Sequence, residues 1–178
     1  MKYLVFDVET PNAKNDRMSS IGAVLVKDGK ITEEFYTLVN PETYFNAFNI
    51  TLTGITPESV EGAPTFPEVF AKLKPLFDGA ILVAHNAPFD MSVLSKCLSY
   101  YGIRYKESVD YACTCQMARR AFPSLPSKKL NSLCELFNIK LSHHNAESDA
   151  MACAELFLIY ERGGIEPNEF IKEYSFIK

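Results

Sequence analysis

The chain has 178 residues, of which 47% are hydrophobic and 22% charged, with a net charge of -4. That balance fits one soluble domain with a sizeable core and excludes a disordered chain, and no apolar run approaches the roughly 20 residues needed to cross a bilayer. A net acidic charge argues against a protein that coats polyanions, although an acid-rich site that recruits divalent cations still admits nucleic acid. The N-terminus carries Asp7 and Glu9 rather than a basic-then-apolar signal, so a cytoplasmic protein with no membrane partner is expected. Five cysteines without Cys-x-x-Cys spacing read as buried, reduced thiols, not as a zinc site.

Tyr3 to Thr10 reads as a buried strand that ends in two acids, Asp7 and Glu9. Pro11 to Ser19 is a polar loop, and Ile21 to Lys27 and Ile31 to Val39 are two further strands joined by the hairpin signal Asp28-Gly29. Asn40 to Ala63, punctuated by proline and glycine, is expected to be a long connection. Apolar residues at helical spacing predict a helix over Phe66 to Phe77, and the short apolar run Ile81 to Ala84 is a strand covered on both faces. A helix from Pro88 to about Tyr101, a strand at Val109 to Ala112 and a helix from about Thr114 to Ala121 follow. After a loop at Phe122 to Lys129, helices are marked by Leu130 to Phe137 and by Ala146 to Arg162, which closes at Gly163-Gly164. Residues 163–178 form a short amphipathic tail packed on the body, so 1–178 is read as one domain with its core in 1–162. Three hairpin-linked strands followed by alternating strands and helices define an α/β fold with a mixed sheet.

Because side chains alternate along a strand, Asp7 and Glu9 leave the same face. Two like charges at the end of an apolar strand are costly unless a cation lies between them, and hard oxygen ligands suit magnesium or manganese. An isolated Asp-x-Glu is more often a solvated strand end, and Asp90 and Asp149, each in the first turn of a helix, are also favoured there by the helix dipole. Only their combination at the carboxyl edge of the sheet is informative. Spacing alone nominates two histidines as a base, since His144 lies five residues before Asp149 and His85 five before Asp90; His143 is a third candidate.

Asp7-Val8-Glu9-Thr10, then His85-Asn86-Ala87-Pro88-Phe89-Asp90, then His144-Asn145-Ala146-Glu147-Ser148-Asp149 resemble, in this order, the three motifs of the DEDDh 3′-to-5′ exonucleases, in particular the proofreading exonucleases of bacterial DNA polymerase III. The resemblance runs from Tyr3 to about Leu158, with secondary matches at Ser20 to Val24 and Lys129 to Leu133. It implies a ribonuclease-H-like fold with a central five-stranded sheet and a site for two divalent ions, Mg2+ or Mn2+. By the same resemblance Asp7 bridges both ions, Glu9 and Asp149 hold the nucleophile-side ion, and Asp90 acts directly or through water. The resemblance also selects His144 as the base that takes the proton of the attacking water.

The implied partner is nucleic acid with a free 3′ end, DNA favoured over RNA, together with a polymerase or other replication partner. Candidate substrate contacts are Thr10, Pro11, Asn12 and Met18 after the first motif, Phe48, Thr53 and Ile55 in the long connection, and His85, Asn86, Lys128 and Lys129. Phe45, Arg119 and Arg120 are further candidates of the same kind. Many relatives place histidine before Gly-Ile-Thr, where this chain has Thr53 before Gly54-Ile55-Thr56. An exoribonuclease and a non-catalytic nucleic-acid or polymerase-binding module are the rival readings.

Overall fold

A computed structural model describes residues 1–176, so the last two residues of the predicted tail lie outside the described residues. Strand β1 (Lys2–Glu9) pairs antiparallel with β2 (Ser20–Lys27), and β2 pairs antiparallel with β3 (Lys30–Leu38). On its other side β1 runs parallel to β4 (Ile81–Ala84), and β4 runs parallel to β5 (Ser108–Cys113). The β2-β3 turn places both Asp28 (φ 50°) and Gly29 (φ 72°) in the left-handed region, as the tight hairpin signal requires.

The sheet has six strands rather than the expected five, in the order β3-β2-β1-β4-β5-β6. The sixth, β6 (Lys172–Ser175), comes from the tail and pairs antiparallel with β5. It is four residues long and mostly polar, so no hydrophobic alternation announces it; backbone hydrogen bonding to the open edge of β5 forms it. A second difference lies in the long connection, which contains helix α1 (Ala47–Thr53) and a 3₁₀ turn (Glu58–Val60). Helix α1 is delimited by sequence-local chemistry. The Asn46 side chain accepts a hydrogen bond from the Asn49 N–H at 2.8 Å, and Gly54 closes the helix at φ 72°.

The remaining helices are α2 (Phe66–Phe77), α3 (Pro88–Tyr100), α4 (Thr114–Ala121), α5 (Leu130–Phe137) and α6 (Ala146–Arg162). They cover both faces of the sheet. Leu4, Phe6 and Val8 of β1 pack with Phe70, Leu73 and Phe77 of α2 and with Met91 and Leu94 of α3. Tyr3 and Val5 point the other way, into a cluster with Met117, Leu133, Leu156 and Phe157 from α4, α5 and α6. The odd-numbered face of β1 is thus the α6 face, and continuing it by two and four residues gives Asp7 and Glu9. Strand β1 is also the point at which the strand order reverses, with β2 on one side and β4 on the other. The carboxyl end of such a strand is where α/β sheets open a crevice.

Candidate active site

Four acids converge on that crevice. Ligand oxygens of Asp7, Glu9 and Asp149 all lie within 4.8 Å of one another. Asp90 joins them from the first turn of α3, where its Oδ1 accepts a 3.2 Å hydrogen bond from the Val8 N–H. Asp149 arrives on the fourth residue of α6, whose start is fixed by Asn145: its side chain accepts from the Ser148 N–H at 3.0 Å, and its carbonyl accepts from the Asp149 N–H at 2.8 Å. The helix can come this close because β2 carries Gly22 opposite Asp7. A Cβ on Gly22 would stand 2.0 Å from the Ala146 carbonyl oxygen.

Glu9, Asp90 and Asp149 are buried and Asp7 is partly so. Among the described residues no hydrogen-bond donor reaches the carboxylate of Asp7 or of Glu9. Burial, followed by the charges of Asp90, Glu9 and Asp149, holds the Asp7 carboxyl well above its ordinary range. Burial and Asp149 raise Glu9 to about 7. Burial raises Asp90 against the opposing Val8 hydrogen bond, and it raises Asp149 against His143 and the His144 N–H. Acids that push one another toward the neutral form fit a divalent cation, which relieves both the desolvation and the repulsion. Hard carboxylate oxygens, those of Asp7 and Glu9 without a competing donor among the described residues, make the cluster a candidate site for such a cation.

The three histidines differ in what their rings already do. His85 uses both nitrogens: Nε2 donates to the Lys128 carbonyl, and Nδ1 accepts from the Thr114 hydroxyl, each at 2.9 Å. A carbonyl only accepts, so this tautomer follows from the partners. Burial lowers His85 to about 4 despite the Lys128 bond, and a neutral ring with both nitrogens engaged is a structural strut. His143 places Nδ1 3.3 Å from Asp149 and stacks on His144 at a centroid distance of 3.9 Å. His144 binds Asp149 through its backbone N–H at 3.0 Å and holds φ at 64°. Its ring nitrogens have no hydrogen-bond partner among the described residues. Burial and the neighbouring His143 lower its pKa, so the ring is neutral near pH 7 and able to accept a proton.

A cleft of about 660 Å³ opens over the acids. Of the substrate contacts expected from the sequence, Thr10, Phe48, His85, Asn86, Lys128 and Lys129 line it. The others lie elsewhere. Met18 is buried in the hydrophobic core, in one cluster with Ile21 and Val39, while Ala13 and Asn15 of the same loop line the cleft. Asn12 is also buried, its amide donating to the Tyr44 carbonyl at 2.7 Å, and Pro11 is buried beside it with its carbonyl accepting from the Asn46 N–H. Thr53 and Ile55 face a second, smaller cavity, and Phe45 faces a third. Arg119 lines the cleft, whereas Arg120 pairs with Glu169 at 2.8 Å. The Lys128 ammonium is held by the Pro123 and Leu125 carbonyls, which leaves Arg119 and Lys129 as the cations lining the cleft whose side chains have neither a hydrogen bond nor an ion pair among the described residues.

Sequence reasoning missed Leu52, Phe89 and Asn49, which also line the cleft. Phe48 and Leu52, four apart on α1, stand exposed at 71% and 38%, an apolar stripe that a capped helix over Ala47–Thr53 would have revealed. Buried Asn49 ties that stripe to the acids by donating to the Thr10 carbonyl at 2.7 Å and the Thr10 hydroxyl at 3.2 Å. Asn49→Ala is expected to raise KM for an oligonucleotide by up to about tenfold, the scale of one lost hydrogen bond, with kcat changed far less. Steady-state kinetics on a labelled oligonucleotide check this, and an unchanged KM would remove Asn49 from substrate positioning.

A mixed α/β sheet with carboxylates from β1, α3 and α6 gathered at the strand switch defines a hydrolase of the ribonuclease-H-like class. The family model described as Exonuclease matches residues 4–157. The chain belongs to this family, in its DEDDh branch, and is a 3′-to-5′ exonuclease. It is 39% identical over 160 residues to the PolC-type DNA polymerase III of Caldanaerobacter subterraneus subsp. tengcongensis, covering 88% of this chain and 11% of the polymerase. To the PolC-type polymerase of Bacillus subtilis it is 36% identical over 159 residues, with the same coverage. The chain thus spans about a tenth of the length of these relatives. Among solved structures, exonuclease X in complex with 5′ overhanging duplex DNA superposes with a TM-score of 0.77 at 23% identity, covering 94% of this chain and 96% of that one. The nuclease domain of 3′hExo bound to rAMP, a DEDDh member, gives 0.78 at 21% identity and 96% of each chain.

Proposed function

We propose that this exonuclease removes nucleoside 5′-monophosphates from the 3′ end of single-stranded or frayed DNA, in replication proofreading or repair in the cytoplasm. The observation that carries the reading is the acid cluster: Asp7, Glu9 and Asp149 present oxygens within 4.8 Å of one another at the floor of a cleft wide enough for a nucleotide. Asp7, Glu9 and Asp149 would hold two divalent cations, Mg2+ or Mn2+, with Asp90 acting directly or through water. Bound cations lower the pKa of the attacking water and neutralise charge growing on the phosphate.

The chain's own groups supply the rest. The neutral His144 ring takes a proton from the attacking water. Asp149 orients that segment by accepting from the His144 N–H, and His143 braces it by stacking. Phe48, Leu52 and Phe89 form an apolar wall against which terminal bases stack, and Arg119 and Lys129 meet the phosphates. The DNA preference is supported by the PolC-type relatives, and a polymerase is the corresponding partner.

His144→Ala is expected to lower kcat by about 10²–10⁴-fold, the range of general-base catalysis, while KM stays near the parent value. Equal turnover in variant and parent would remove His144 from the role. Labelled single-stranded DNA, mismatched duplex DNA and short RNA, compared with magnesium, manganese and chelator, test the whole reading. Release of mononucleotides from the two DNA substrates at a higher kcat/KM than from RNA is expected. Faster cutting of RNA would make the chain an exoribonuclease, and no release from any substrate would make it a binding module.

A further inference from the structure

A second cavity, of about 220 Å³, lies on the far side of His144 from the cleft, and among the described residues His144 alone lines both. Sheet register explains its position. Glu9 pairs with Ser20, which pairs with Leu38, and Asp7 pairs with Gly22, which pairs with Tyr36. Paired residues share a face, so Ser20, Leu38 and Tyr36 continue the face of the catalytic acids toward the β3 edge. Helix α6 begins over Gly22, and the hollow lies between its first turn, β2, β3 and the end of α1.

Its polar lining has unmet requirements. Ser20 is fully buried, and its Oγ finds no partner among the described residues. A buried hydroxyl without a protein partner is ordinarily bonded to water, and the hollow is both large and polar enough to hold several molecules. Tyr36 lines the same hollow. It is 36% exposed, and its phenol can donate a hydrogen bond to water. His144, which lines both cavities, holds a left-handed backbone at φ 64°, a conformation that costs a non-glycine residue free energy.

We propose that this hollow is a water channel serving the nucleophile side of the site, with Ser20 and Tyr36 as positioning residues for ordered water behind Glu9 and His144. The proposal rests on the nuclease reading above. The hollow reaches His144 from the side away from the lining of the cleft, so water held there has an approach to the site that does not cross the nucleotide's place. In the reaction that water's oxygen forms a bond to phosphorus as the bond to the neighbouring 3′ oxygen breaks. One proton of the water passes to His144 and on to the channel water, and the leaving 3′ oxygen takes a proton from solvent.

Ser20→Ala and Tyr36→Phe each remove one hydroxyl and keep the surrounding shape. Both are expected to lower kcat about tenfold, the scale of one lost hydrogen bond in the transition state, with KM for single-stranded DNA within about twofold of the parent. A high-resolution crystal structure of the parent chain should show water within hydrogen-bond distance of Ser20 Oγ. Thermal melts give an independent reading: an anhydrous, unpartnered hydroxyl predicts that Ser20→Ala raises the melting temperature, whereas a water-bonded one predicts no gain. Parent-like turnover in both variants, or a hollow without ordered water, overturns the channel while leaving the nuclease reading intact. A parent chain that releases no nucleotide overturns both.

Discussion

Asp7→Asn is expected to reduce nucleotide release by at least about a thousandfold, a loss of several kcal/mol of transition-state stabilisation, while making the cation-free protein more stable. Both effects come from one cause. The Asp7 carboxyl is held above its ordinary range by burial first and then by Asp90, Glu9 and Asp149. A neutral amide of the same shape removes the central charge, so the remaining acids repel less and a cation loses its shared ligand. In chelator the gain is read as a melting temperature above that of the parent.

The pH dependence has a definite sign. A carboxyl whose pKa is higher in the folded chain than in the unfolded one binds its proton more tightly when folded. Its stabilising contribution is complete below the unfolded value and is lost as pH rises through the folded one. For Glu9 that window runs from the ordinary 4.5 to about 7, and the raised Asp7 and Asp90 carboxyls act in the same direction. In chelator, the melting temperature should therefore fall between pH 5 and pH 8, and millimolar magnesium should flatten the fall. Asp7→Asn should flatten it without magnesium. A parent melting curve independent of pH in chelator would show that the acids do not repel one another.

Gly22→Ala is the second large effect. The added Cβ would meet the Ala146 carbonyl oxygen at 2.0 Å, its carbon at 2.5 Å and the Glu147 nitrogen at 2.8 Å, all backbone atoms that cannot rotate away. Helix α6 must lift off β2, and Asp149 moves with it. We expect a loss of about 3 kcal/mol, the upper part of the overpacking range, together with magnesium affinity reduced by at least about tenfold. Because the obstruction is backbone, trimming Ala146 to glycine in the same chain should restore neither property. Denaturant unfolding and magnesium titration of the single and double variants check this, and rescue by Ala146→Gly would show that side-chain packing sets the approach.

Several elements were legible in the residues because their causes are local. Helices α2, α4 and α6 match their predicted ranges, set by apolar spacing, a proline in the first turn of α2 and an asparagine cap on α6. The acids were legible because Asp7, Glu9, Asp90 and Asp149 sit where strand ends and helix starts put carboxylates at one sheet edge. Helix α1 also had a local signal in Asn46 and Gly54, obscured by the prolines and glycines around it.

What depends on distant partners was not legible. Strand β6 exists through backbone pairing with β5, and a four-residue, mostly polar segment carries no pattern that says so. Met18, an apolar residue in a polar loop, suits a substrate contact or a core plug equally until the loop's path is known. Spacing leaves three histidines open, the family resemblance selects His144, and only the fold shows what their rings meet: Thr114 and the Lys128 carbonyl for His85, Asp149 for His143, and two cavities for His144. Local chemistry wrote the acids and most of the elements into the sequence. Long-range packing, which a linear chain does not display, decided how closely α6 approaches Asp7 and which side chains face the cleft.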